Sequence, residues 1–124
     1  MPVREYTQAL GVVLILTGAA GLMFGDRLLL GVLSVVIPKG IAHLLTGGLL
    51  AYIGFGQTDE HLARIAVAAI GVVYLFVGVL GFVLPALFGL HHGYSVVDNT
   101  VHLLVGILSL VIGFGSGHNT ASRA

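Results

Sequence analysis

The sequence predicts an all-α fold: an integral membrane four-helix bundle built from two parallel two-helix repeats, in a single domain over 1–124. Three observations predict it: an extreme apolar composition, four apolar segments of spanning length, and a pattern that occurs twice along the chain. Of the 124 residues, 57% are hydrophobic and 8% charged, with a mean hydropathy of +1.09. An ordinary soluble domain carries about 25% charged residues. Five basic and five acidic side chains are too few to cover a soluble fold. Net charge is zero with His neutral, which offers no footprint for nucleic acid. The absence of Cys excludes disulfides, iron–sulfur clusters and thiol catalysis. The 19 glycines are spread through the apolar runs, as closely packed membrane helices require.

The four segments are Tyr6–Gly25, Pro38–Gly56, Ala63–Leu84 and Asn99–Ser116. A span needs about 20 residues at about 1.5 Å rise each. Lys39 and Arg64, each at the start of a segment, are the only charged residues in them. Backbone groups in a bilayer have no water to bond, so these segments should be helices. Arg4 followed by apolar residues and the small run Gly18-Ala19-Ala20 has the outline of a signal peptide. The segment has a counterpart in mid-chain, however, which favours a resident helix. The connectors, 26–37 and 85–98, are apolar, interrupted by Gly and too short to span, so short interfacial helices or dipping loops are expected. The 57–62 turn is polar, and the tail, 117–124, is small, polar and expected to be flexible.

The pattern repeats between about 6–56 and about 63–116. Ala9–Met23 (ALGVVLILTGAAGLM) matches Ala69–Val83 (AIGVVYLFVGVLGFV), placing Gly11, Gly18 and Gly21 on Gly71, Gly78 and Gly81. Ile41–Gly56 (IAHLLTGGLLAYIGFG) matches Thr100–Gly115 (TVHLLVGILSLVIGFG), placing His43 on His102 without a gap. Each unit holds two spans, so both units start on the same side and relate by an axis along the membrane normal. Both termini then share a side with Arg4, Arg64 and Arg123, against Arg27 and Lys39 on the other. The positive-inside rule places the termini in the cytoplasm.

His43, Gly47, Leu50 and Gly54 share one helical stripe, as do His102, Gly106, Ser109 and Gly113. Small residues let another backbone approach, so both histidines are expected on packing faces, with Gly11, Gly18, Gly21, Gly71, Gly78 and Gly81 opposite. Pro38 suits a first turn, and Asp98 or Asn99 an N-cap. Both histidines then lie about 6 Å inside their helices, toward the same surface. Tyr6, Phe55 and Phe114 would mark one interface, and Phe24, Phe88 and Tyr94 the other.

The twice-used His-Leu-Leu-x-Gly (His43–Gly47 and His102–Gly106), with Gly71–Leu75 and Leu80–Pro85, resembles the family catalogued as domain of unknown function 4383. These are small bacterial four-helix membrane proteins, and the resemblance covers about residues 6–116. The turn 98–102 is similar to the polar turn before the family's histidine, and 38–42 departs from it. The resemblance implies a membrane location, in a bacterial inner or thylakoid-type membrane, and no activity.

An ionisable residue within a span is a functional candidate. One reading has each imidazole bonding across a helix interface, to a backbone carbonyl or to Thr17, Asn99 or Thr100. The other makes His43 and His102 ligands to a haem or chlorophyll. Two imidazoles alone lack the remaining ligands of a zinc site. His91 and His92, with Asp98 or His102, are a weaker metal candidate, and His61 and His118 read as solvent residues. A transporter or channel needs more buried charge than these spans supply. With no Cys and no acid–base pair inside a span, no enzyme is expected. The expectation is a non-catalytic structural or accessory subunit of a larger membrane assembly, its partners the lipid bilayer and another membrane protein or further copies of itself. The alternative is a haem- or chlorophyll-binding module.

Overall fold

A computed structural model describes residues 2–24, 28–29, 33–34, 37–83 and 96–123, and side-chain surroundings over 2–23, 40–83 and 96–115. The elements are α1 (Val3–Phe24), β1 (Leu28–Leu29), β2 (Leu33–Ser34), α2 (Ile37–Gly56), α3 (Glu60–Val83) and α4 (Val96–Arg123). The fold is all-helical apart from a minimal antiparallel ladder in which Leu28 faces Ser34 and Leu29 faces Leu33. The helices follow from long apolar runs free of internal proline. Pro38 stands in the first turn of α2, where its missing N–H costs nothing. Asp59 caps the start of α3, its Oδ1 accepting the His61 and Leu62 amides at 2.9 and 3.3 Å.

Among the described residues, three helices are long and apolar enough to cross a membrane: Val3–Met23, Glu60–Val83 and Val96–Gly115; Gly40–Gly56 of α2 is apolar as well. Three expectations need correction. The first connector contains paired strands, because Leu28–Leu29 and Leu33–Ser34 satisfy their backbone groups across a ladder as no dipping loop would. Residues 85–95 of the second connector, with His91, His92, Phe88 and Tyr94, lie outside the described residues, and 96–98 belong to α4. The helix bearing His102 begins at Val96, so Asp98 and Asn99 are first-turn residues rather than caps. The same helix continues past Ser116 to Arg123, since Gly115 keeps ordinary helical backbone and no proline follows.

The helices form two antiparallel pairs, α1 with α2 and α3 with α4, joined to each other by far fewer contacts. Each pair is closed by glycines. A Cβ on Gly11 would stand 2.7 Å from the Ala51 amide nitrogen, and one on Gly47 would stand 2.7 Å from that of Ile15. In the second pair, a Cβ on Gly71 would meet the Gly106 carbonyl at 3.0 Å, and one on Gly106 the Leu75 nitrogen at 2.6 Å. Gly18 lies against Gly40 and Leu44, and Gly78 against Leu103. Gly21 adjoins Gly40, and Gly81 adjoins Asn99. Gly54 packs on Gln8, and Gly113 on Ala68. Every glycine of the expected stripes is therefore a crossing point of backbones or of a backbone and a side chain.

The packing face is narrow and partly polar, and the outer face is broad and apolar. Thr7, Leu50, Val67 and Ser109 are fully buried. Leu16, Leu45, Phe55, Phe76, Leu104, Val111 and Phe114 all point outward and are mostly exposed. Tyr6, expected at an interface beside Phe55 and Phe114, is instead buried.

The glycine crossings predict an asymmetric response to a single methyl group. Gly106→Ala should destabilise the protein by about 1–3 kcal/mol, because only backbone shifts make room. Gly48 has open space around it, so Gly48→Ala should be neutral or stabilise by up to about 1 kcal/mol. Unfolding by SDS titration in neutral detergent micelles would compare the two, and equal stabilities would overturn the packing account.

Candidate functional site

His43 and His102 each stand six residues after the start of their helix, at Ile37 and Val96. That depth is about 9 Å along the axis, one half-turn deeper than the cap-based expectation. Both are buried, and they face each other between the helix pairs, with ring centroids 6.2 Å apart and planes 30° from parallel. The sequence brings them there because the Gly47–Gly54 and Gly106–Gly113 stripes turn the same face of α2 and α4 inward.

A third ring completes the cluster. Tyr74 of α3 lies 5.2 Å from His102 and 6.1 Å from His43. Tyr74 was not among the expected site residues, since a tyrosine in an apolar run reads as one more aromatic. A signal was present: it stands three residues after Gly71 and four before Gly78, on the packing stripe of its helix. The aligned position in α1 is Leu14, also buried, so the cluster draws one ring from the first pair and two from the second.

The protonation of His102 follows from its neighbour. Its Nδ1 lies 2.7 Å from the Asp98 carbonyl oxygen. A carbonyl can only accept, so Nδ1 carries a proton. This bond runs to the residue one turn back in the same helix rather than across an interface. The threonines behave likewise: Thr17 donates to the Val13 carbonyl, Thr46 to that of Ala42 and Thr100 to that of Val96, at 2.8 Å each. Hydroxyls in an apolar helix find their own backbone first. A side-chain bond that does cross between helix pairs is Tyr6 Oη to Ser109 Oγ, at 2.7 Å.

Below the rings, Asn99 is buried, and its Oδ1 rests on Gly81 with no hydrogen-bond partner among the described residues. The aligned residue in α2 is Gly40, which meets the backbone of Gly21 there. Asp98 is buried beside it.

The described residues hold no group of three or more His, Cys, Asp or Glu that converge as metal ligands. His91 and His92 lie outside the described residues. The two imidazoles lie face to face, with ring centroids 6.2 Å apart. Tyr74, however, makes a near-equilateral triangle with them. A flat macrocycle held between the imidazoles would need the space its ring fills. As placed, the three side chains do not fit a tetrapyrrole. What they do fit is a dry, ring-against-ring joint between helix pairs, of a kind favoured for tilted rings at these separations.

Comparison with protein-family models, with curated proteins and with solved structures returns no match.

The tautomer of His102 is directly measurable. Nitrogen chemical shifts of the labelled imidazole should show protonated Nδ1 at neutral pH. The opposite tautomer would remove the bond to the Asp98 carbonyl.

Proposed function

We propose that this chain is a non-catalytic integral membrane protein, a structural or accessory subunit of a larger membrane assembly or a homo-oligomer. The observation that carries the reading is the inverted distribution of polarity. Thr7, His43, Asp98, Asn99, His102 and Ser109 are buried, and large aliphatic and aromatic side chains cover the outside of all four helices. Water would penalise such a surface heavily, and monomeric soluble proteins rarely expose contiguous apolar patches above a few hundred Å². Lipid imposes no such penalty.

The bundle is read as two parallel two-helix repeats, one running over about 6–56 and the other over about 63–116. Contacts at matched positions support this. Gly11 meets Ala51 where Gly71 meets Leu110, Gly47 meets Ile15 where Gly106 meets Leu75, and Gly54 meets Gln8 where Gly113 meets Ala68. The resemblance to the family of unknown function 4383 agrees with a small bacterial four-helix membrane protein. The basic residues favour cytoplasmic termini in the inner membrane. In this reading the His43–Tyr74–His102 cluster locks the two repeats together and carries out no reaction.

A second reading, a haem- or chlorophyll-binding module, is favoured by the 6.2 Å pairing of His43 and His102 and opposed by Tyr74. One preparation separates the two. Membranes of the native host should retain the protein through a carbonate wash. Gentle extraction should release a colourless particle larger than one 12.8 kDa chain with its detergent belt. Release by carbonate would overturn the membrane reading, and a strictly monomeric particle the subunit reading. A Soret or chlorophyll band lost in His43→Ala and His102→Ala would replace both with the cofactor module.

A further inference from the structure

The two helix pairs finish their crossings differently at the end where α1 and α3 begin. In the first, Arg4 Nε and Gln8 Nε2 both donate to the Gly54 carbonyl, at 3.0 and 2.9 Å, and the Gln8 stem fills the space against Gly54. The matched residues in the second pair are Arg64, Ala68 and Gly113. Ala68 has no side-chain amide to send across, and a Cβ on Gly113 would meet its methyl and backbone nitrogen, at 3.1 Å each, and the Arg64 carbonyl at 3.2 Å. A groove of about 460 Å³ opens there, lined by His61, Arg64, Ile65, Ala68, Gly113 and Phe114.

Arg64 is differently placed from Arg4 in charge as well. Its guanidinium reaches His61 Nδ1 at 3.5 Å, and it has no carboxylate partner among the described residues. Asp59, nearby in sequence, has Oδ1 engaged by two amides. Glu60 stands in the first turn of α3. Where Glu5 follows Arg4, the apolar and exposed Ile65 follows Arg64. The groove therefore joins a cation at one end to an apolar wall of Ile65, Ala68 and Phe114.

We propose that this groove binds an anionic glycerophospholipid. Arg64, with His61 beside it, holds the phosphate-bearing headgroup, and Ile65, Ala68 and Phe114 receive the upper part of an acyl chain. The proposal rests on the membrane reading above. Depth supports a lipid over a free anion: the groove lies where α3 leaves the polar 57–59 segment and where the sequence of α4 turns small and polar after Gly115. Headgroups occupy that level. A guanidinium offers a phosphate two parallel N–H bonds, and a free phosphate would leave the apolar wall without an occupant.

The test uses the full chain in neutral detergent, given equal amounts of phosphatidylglycerol and phosphatidylcholine, with retained lipid counted by native mass spectrometry. The wild type should retain phosphatidylglycerol about fivefold over phosphatidylcholine, the preference one interfacial basic residue supplies. Arg64→Gln should bring the two to parity. Ala68→Gln, which installs the first pair's filling side chain, should do the same by occupying the groove with the cation intact. Arg4→Gln should keep the preference. Equal retention of both lipids by the wild type would overturn the proposal, as would a preference that survives both substitutions. Inorganic phosphate displacing the lipid at equal concentration would make the groove a soluble-anion site. Failure of the membrane reading would show separately and earlier, as protein released by carbonate.

Discussion

Helix backbones in this protein touch, and the rest of its structure depends on that approach. At Gly11, Gly47 and Gly106 the neighbouring backbone lies closer than any side chain would permit, and at Gly71 nearly so. Such proximity gives dispersion contact along the whole crossing without large interdigitating side chains. It leaves the bulky residues nowhere to go but outward, which is why Leu45, Phe76 and Leu104 clothe the exterior. It also leaves the interior so narrow that several polar groups there bond to a very near neighbour. Thr7 bonds to the Val3 carbonyl in its own helix, and Tyr6 meets Ser109.

That constraint explains what could be read from the residues alone. A stripe of glycines at intervals of three and four has one physical use in an apolar helix, so the packing faces were legible, and with them the inward direction of His43 and His102. Helix positions followed from the absence of charge and proline, and their ends came within a few residues at Phe24, Gly56 and Val83. The polar residues near helix ends were harder. Asp98 and Asn99 have the chemistry of caps, but a helix can begin earlier when Val96 and Val97 continue its apolar run. Tyr6 and Tyr74 each combine an apolar body with a polar tip, which suits an interface or a buried joint equally. Only their register relative to Gly11 and Gly71 separates those fates. The strands Leu28–Leu29 and Leu33–Ser34 are too short to leave a period in the sequence.

The joint between the helix pairs is unlike the crossings within them. Among the described residues its members are aromatic rings and a hydroxyl pair rather than glycines, and apart from the matched His43 and His102 they differ between the two halves. Tyr74 faces the histidines where the aligned residue is Leu14, and Ser109 is aligned with Leu50. Polar side chains in a membrane interior add modest energy and strong directionality. The crossings within the pairs supply contact, and the His43–Tyr74–His102 cluster supplies a defined relative rotation.

The uneven density of contacts bears on how such a chain is made. Each helix pair is closed by residues near in sequence, so its loop-closure entropy is small and its formation fast. α1 and α2 can complete their crossing before α4 has been synthesised. The seam between the pairs is then the last region to assemble and the first to part under stress. A chain organised in this way emerges from synthesis as two successive, nearly finished hairpins rather than four independent helices.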